Sequence, residues 1–238
     1  MNCLIINRNY PPTNSITGFS AKELTEFLIS KGIKVDIIHV KSKYGGGPAQ
    51  IFDNKHEINV IRTFYNGKIK PIRFVANLIE GRNLIKKAIS LKPDFIIAMT
   101  DPPLLNFWTS YYSIKNKFYW AYWAMDLYPN AIDAAGIVSK NNFFYKYFMK
   151  IISKGIPNLI IALGHEQANY IKKIYNKNIE SIVLPCGILK NDNKRINIKK
   201  DKNEKISFCY AGNIGEAHDE NFLKKFIDNL NPKKHILY

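Results

Sequence analysis

Cys3-Leu4-Ile5-Ile6-Asn7 is a short apolar run that ends on a polar residue, and Val35-Asp36-Ile37-Ile38-His39-Val40 is another. Between them stand Ser20-Ala21-Lys22-Glu23, the helically spaced Leu24, Phe27 and Leu28, and Gly32. The order reads as strand, loop, helix, strand. Ser20 with Glu23 is a capping-box pair, which predicts a helix starting at Ser20, and Gly32 supplies its stop. A strand whose residues are almost all apolar is buried on both faces, and such strands belong to parallel sheets covered by helices.

The alternation continues along the chain. Further strands are expected at Asn59 to Arg62, Phe95 to Met99, Phe118 to Ala124, Leu159 to Leu163 and Ser181 to Leu184. A second helix is expected from Phe74 to Leu91, ended by Lys92-Pro93-Asp94, with Gly81 inside it unexplained. From Leu189 to Lys205 the chain turns rich in Lys, Asn and Asp, which marks a linker or exposed loop. A strand from Ile206 to Ala211, a glycine turn, a helix from about His218 to Leu230 and a strand starting at His235 follow. The expected organisation is an α/β domain over 1–188, a charged linker over 189–205 and an incomplete second domain over 206–238.

The 238 residues are 46% hydrophobic, enough for an ordinary core, and Lys and Arg total 35 against 19 Asp and Glu. The net charge of +16 favours anionic partners: nucleic acid, anionic lipid or a phosphorylated substrate. Between Arg62 and Lys92 eight basic residues accompany the single acid Glu80, either as a patch for such a partner or as a solvated face. No recognition helix, zinc pattern or stacking motif accompanies the charge, which argues against nucleic acid. Cys3, Cys186 and Cys209 are scattered, without metal-ligand spacing, and suggest buried thiols in a reducing compartment. The apolar run at the N-terminus is too short for a signal peptide and no stretch is long enough to span a bilayer. The expectation is a cytoplasmic protein, with attachment to the inner face of the membrane allowed.

Chemistry-bearing residues cluster where strands end. Tyr10 to Gly18 joins the first strand to its helix and is placed to line a cleft beyond the strand ends. Gly18 there either admits a substrate close to the backbone or serves the turn. Thr100-Asp101-Pro102-Pro103 follows the fourth strand, with a helix expected from Leu104, and Asp101 is a cap or a ligand. Asp126 closes a strand ahead of Leu127-Tyr128-Pro129, where a carboxylate can orient a sugar hydroxyl, accept its proton or cap a helix. Asn142 to Lys154 forms an amphipathic helix with Lys146, Lys150 and Lys154 in a row beside aromatics, suited to an anionic membrane or to core packing with a solvated edge. Gly212-Asn213-Ile214-Gly215 is a phosphate-cradling turn by composition, yet neither the dinucleotide fingerprint nor a Walker motif. No metal-ligand pattern occurs, so no bound metal is expected.

Together these residues resemble the family-4 type glycosyltransferases of GT-B fold, in the branch that builds bacterial surface polysaccharides. The resemblance is carried by Tyr10-Pro11-Pro12 with Thr17-Gly18, Tyr44-Gly45-Gly46, Thr100 with Pro102-Pro103, Asp126-Leu127-Tyr128-Pro129 with Gly136, Pro185 with Gly187, and Tyr210-Ala211-Gly212-Asn213-Ile214-Gly215 with His218. It implies a Rossmann-like parallel sheet forming the GT-B N-terminal domain, which holds the acceptor, followed by the first βαβ part of a second Rossmann-like domain for a nucleotide sugar. The implied reaction is sugar transfer with retention and without a metal, to a saccharide or lipid-linked acceptor, in cell-surface polysaccharide synthesis. Gly212, Asn213, Gly215 and His218 would serve the donor, Thr17, Gly18 and Thr100 the acceptor-side loop, and Asp126 the attacking hydroxyl. Met125 stands where many relatives have a histidine, and the rest of the family's donor domain does not follow Tyr238. The resemblance therefore implies either a shortened enzyme or a module that binds acceptor or membrane and takes a partner chain for the donor.

Overall fold

The structure, a computed structural model, describes residues 1–11, 15–41, 57–62, 65, 69–185, 205–210 and 219–237. The glycine turn with Gly212, Asn213, Gly215 and His218, and Tyr44-Gly45-Gly46, lie outside the described residues, as do Cys186 and Gly187.

Seven strands form one parallel sheet: β1 (Asn2–Ile6), β2 (Lys34–Lys41), β3 (Glu57–Arg62), β4 (Phe95–Ala98), β5 (Trp120–Ala124), β6 (Leu159–Ala162) and β7 (Glu180–Val183). Their spatial order is β3-β2-β1-β4-β5-β6-β7. The register sets Ile6 beside both Ile38 and Ala98, so the chain leaves β1, β2 and β4 at one level. β-branched and aromatic residues fill these strands, and Leu4, Ile5, Ile6, Ile37, Ile38, Ile96 and Trp120 are essentially inaccessible. Each such side chain contributes about 1.5–3 kcal/mol on burial.

Connections running towards β3 and towards β7 cross opposite faces, as right-handed crossovers require. On one face α1 (Ile16–Ser30) covers the core of Ile5, Val35, Ile37, Met99 and Trp123. On the other, α2 (Lys70–Ser90), α3 (Leu105–Asn116), α4 (Asn130–Ala134), α5 (Phe143–Lys154) and α6 (His165–Tyr175) cover Leu4, Ile6, Trp120 and Tyr122. Beyond this sheet β8 (Ile206–Phe208) and β9 (His235–Leu237) pair in parallel, with α7 (Glu220–Asp228) between them in the chain. The expected Rossmann-like parallel α/β class, with a βαβ unit after the first sheet, is the observed one.

Several details differ from the sequence reading. α1 starts at Ile16, one turn before Ser20, because Ser15 is the cap and accepts the Gly18 N–H at 3.5 Å. Ser20 is instead buried inside the helix with Gly18, Ala21 and Thr25, a small-residue face that lets α1 lie close on the sheet, while Phe27 is exposed. α3 begins at Leu105, not Leu104, since Leu104 has φ 66° and stands outside the helix; Asp101 caps nothing there. Gly81 is explained by packing: a Cβ on it would come within 3.0 Å of Trp108 Cδ1, so the glycine brings α2 against α3. Cys209 is exposed, whereas Cys3 is buried as expected.

Candidate functional site

The order of strands reverses between β1 and β4: the chain leaves β1 in one direction and β4 in the other. The two connecting segments therefore leave the C-terminal ends of β1 and β4 in opposite directions, and such a switch point is the usual place for ligands in an open parallel sheet. Asn7, Arg8 and Asn9 follow β1 there, and Thr100 and Asp101 follow β4.

Asp101 joins the two loops. Its carbonyl accepts the Arg8 N–H at 2.8 Å, and its Oδ2 accepts Asn9 Nδ2 at 3.1 Å and the Thr17 hydroxyl at 3.3 Å. Thr17 also lies 2.9 Å from Ser15 Oγ and accepts Asn7 Nδ2 at 3.3 Å. Arg8 turns outward from this knot, pairing with the buried Glu80 of α2 at 3.2 Å and donating to Asn77 Oδ1 at 2.9 Å. The Oδ1 atoms of Asn7 and Asn9 are buried without a hydrogen-bond partner among the described residues.

Burial pushes the Asp101 carboxyl above its ordinary range, the bond from Thr17 and the charge of Arg8 oppose the shift, and the neighbouring Asp126 charge adds to it. Tyr128 lies in the same field: burial, then Asp126 and Asp101, push its phenol up to about 12. Asp126 itself is exposed, and its carboxylate makes no hydrogen bond or ion pair with a described residue. Its backbone is held instead, the N–H by Thr100 Oγ1 at 3.5 Å and the carbonyl by the Tyr122 hydroxyl at 3.2 Å. It is no helix cap, because α4 starts after Pro129 with no side-chain cap. Two carboxyls thus share one sheet edge in unlike surroundings, one gripped and raised, one free.

Thr17, Gly18, Thr100 and Asp126 all stand at this edge. Thr17 and Thr100 are turned to internal hydrogen bonds, and Gly18 faces the chain's own loop: a Cβ there would lie 3.3 Å from the Asn9 carbonyl carbon and from Tyr10 Cα. Asn7, Asn9 and Asp101 were not singled out together by sequence, although a polar residue directly after each of two apolar strands was a usable sign. Among the described residues no cluster of three or more His, Cys, Asp or Glu could hold a metal.

The geometry is that of a Rossmann-like domain with polar residues gathered at its switch point, and solved structures of like fold are GT-B glycosyltransferases. Sucrose-phosphate synthase from Thermosynechococcus elongatus matches 79% of this chain and 48% of its own at 15% identity, TM-score 0.53. HepE from Anabaena, solved in complex with UDP, matches all of this chain and 60% of its own at 11% identity, TM-score 0.54. The glycotransferase of kitacinnamycin matches 99% and 64% at 10% identity, TM-score 0.51. The chain thus spans about half to somewhat under two thirds of the length of these structures, and at such identities the likeness is one of fold. No family model and no curated protein matches the sequence.

Proposed function

We propose that the chain is a glycosyltransferase, of family-4 type, that moves a sugar from a nucleotide-sugar donor to a saccharide or lipid-linked acceptor with retention and without a metal. The observation that carries this reading is Asp126: a carboxylate with no hydrogen bond or ion pair to a described residue, on a backbone pinned at both ends, near the switch point of a fold shared with GT-B glycosyltransferases. Asp126 orients the attacking hydroxyl, while Thr17, Gly18 and Thr100 fix the acceptor-side loops around it. The donor pyrophosphate would meet backbone N–H groups of the turn bearing Gly212, Asn213 and Gly215, with His218 opening the next helix. The UDP held by HepE supports a nucleoside diphosphate as the leaving group. The reading takes 1–188 as the acceptor domain, 189–205 as a linker and 206–238 as part of the donor domain.

We place the work of the chain at the cytoplasmic face of a membrane, in cell-surface polysaccharide synthesis. No helix among the described residues is long and apolar enough to cross a bilayer, and the +16 charge and the lysine row of α5 support docking on an anionic surface. Those lysines also favour a second reading, a module that holds acceptor or membrane while a partner chain supplies the donor site. Calorimetric titration of the full chain with UDP-, GDP- and ADP-sugars separates the two. Heat with one donor is the expected result; no heat with any leaves only the second reading.

A further inference from the structure

α5 packs by one side only. Ile152 is buried against the core and Asn142 caps the helix by accepting the Phe144 N–H at 2.8 Å, but Phe143, Phe144 and Tyr147 are 75, 65 and 43% exposed. Three such rings in two turns of a helix are a large apolar surface to leave in water. They edge a groove of about 610 Å3 that is also lined by Phe74 and Leu78 of α2 and by Trp108 of α3. That volume lies inside the roughly 300–1,000 Å3 span of small-molecule sites, but the lining is almost wholly hydrocarbon and aromatic.

Cations border it. Lys115 Nζ sits 4.5 Å from the ring centroid of Tyr111, which also lines the groove. Lys146, Lys150 and Lys154 are exposed, and at roughly 100° per residue they run beside the edge made by Phe143 and Tyr147. α5 contains no acid, and none of these four lysines pairs with a described carboxylate. An apolar slot bordered along α3 and α5 by ammonium groups that have no carboxylate partner among the described residues is complementary to an amphiphile with a negative head.

We propose that this groove seats one acyl chain of an anionic bilayer lipid, with Phe143 and Phe144 entering the interface and Lys115, Lys146 and Lys150 meeting lipid phosphates. A single groove and a lysine row at its rim give the two signals, hydrocarbon and charge, that stable surface attachment needs. Helices crossing a parallel sheet start at the C-terminal ends of the strands, so the lining carried by the first halves of α2, α3 and α5 sets the groove towards the end of the sheet that holds the switch point. Pro129, in its wall, follows Asp126 by three residues. Docking in this way holds the Asp126 edge against the bilayer.

The inference rests on the membrane docking proposed above, and not on sugar transfer. The full chain is floated with phosphatidylglycerol vesicles and with phosphatidylcholine vesicles, and tryptophan emission is then read with bromine on the acyl chains. Trp120 and Trp123 are buried in the sheet at 0 and 3% exposure, so Trp108 is the indole that a chain in the groove reaches. Expected are flotation with the anionic vesicles alone, about fivefold weaker for each of K146Q and K150Q, and quenching that disappears in W108F and in the F143S/F144S double variant. No flotation overturns docking and groove together. Flotation without quenching, or quenching untouched by the double substitution, overturns the groove and leaves charge-driven docking. Quenching by a brominated fatty acid in a chain that never floats assigns the groove to a free amphiphile, and self-association lost in the double variant assigns it to a second copy; either overturns the bilayer lipid.

Discussion

Asn9 Nδ2 lies 3.1 Å from Asp101 Oδ2, so two residues 92 positions apart bind the loops after β1 and β4 to one carboxyl group. The switch point is thereby closed by a titratable latch.

The latch gives stability a definite pH dependence. The folded Asp101 pKa is raised above its ordinary 3.8, so the folded state holds the proton where the unfolded chain has released it. The contribution is fully present below about 3.8 and is lost as pH rises through the raised value. D101N, which stays neutral, therefore gains on the parent protein as pH climbs from 3.5 to 8 in denaturant unfolding. A difference that is flat, or that shrinks with pH, would contradict the assignment.

Gly155 closes α5 with its Cα against α3. A Cβ there would run into the backbone of Ser110, whose hydroxyl donates to the Gly155 carbonyl at 3.1 Å. Backbone cannot swing aside as a side chain can, so G155A costs about 1–3 kcal/mol or more. Urea unfolding with an unchanged slope measures it, and a midpoint equal to the parent's would mean that α5 slides freely.

Asp126 separates function from stability. Its carboxylate makes no hydrogen bond or ion pair with a described residue, so D126N melts within about 0.5 kcal/mol of the parent. Turnover of the donor found by calorimetry falls by about 10²-fold or more, the scale expected when a reacting hydroxyl loses the group that orients it. Equal turnover removes Asp126 from the chemistry.

The thiols divide by exposure. Burial, and then the charge of Asp36, push the Cys3 thiol up to about 12, while Cys209 is exposed. In a C186S background one equivalent reacts with a thiol reagent under native conditions at pH 8, and Cys3 joins only on unfolding. Two fast equivalents would show that β1 is open to solvent.

The parallel sheet was readable because its central strands β1, β4, β5 and β6 are apolar on both faces, a composition that no half-exposed strand tolerates. Local pattern could not say which strands are neighbours, so the meeting of Asn9, Thr17 and Asp101 was out of reach, although each residue stood visibly at the end of a strand. Ser20 misled because a serine pressed against a sheet and a serine capping a helix look alike when Glu follows three places later. Gly81 resisted explanation for the same reason: its partner Trp108 lies on another helix. The aromatics of α5 were visible as a stripe, but only packing revealed that Ile152 goes inward while Phe143 and Phe144 stay outside.

The indoles carry a practical corollary. All three tryptophans of the chain, Trp108, Trp120 and Trp123, belong to the seven-stranded sheet or to the helix packed on it. Their emission is a reporter for that body alone and is blind to β8, α7 and β9. A melt followed by indole light, set beside one followed by backbone dichroism, would therefore resolve whether the two sheets come apart in one step or in two.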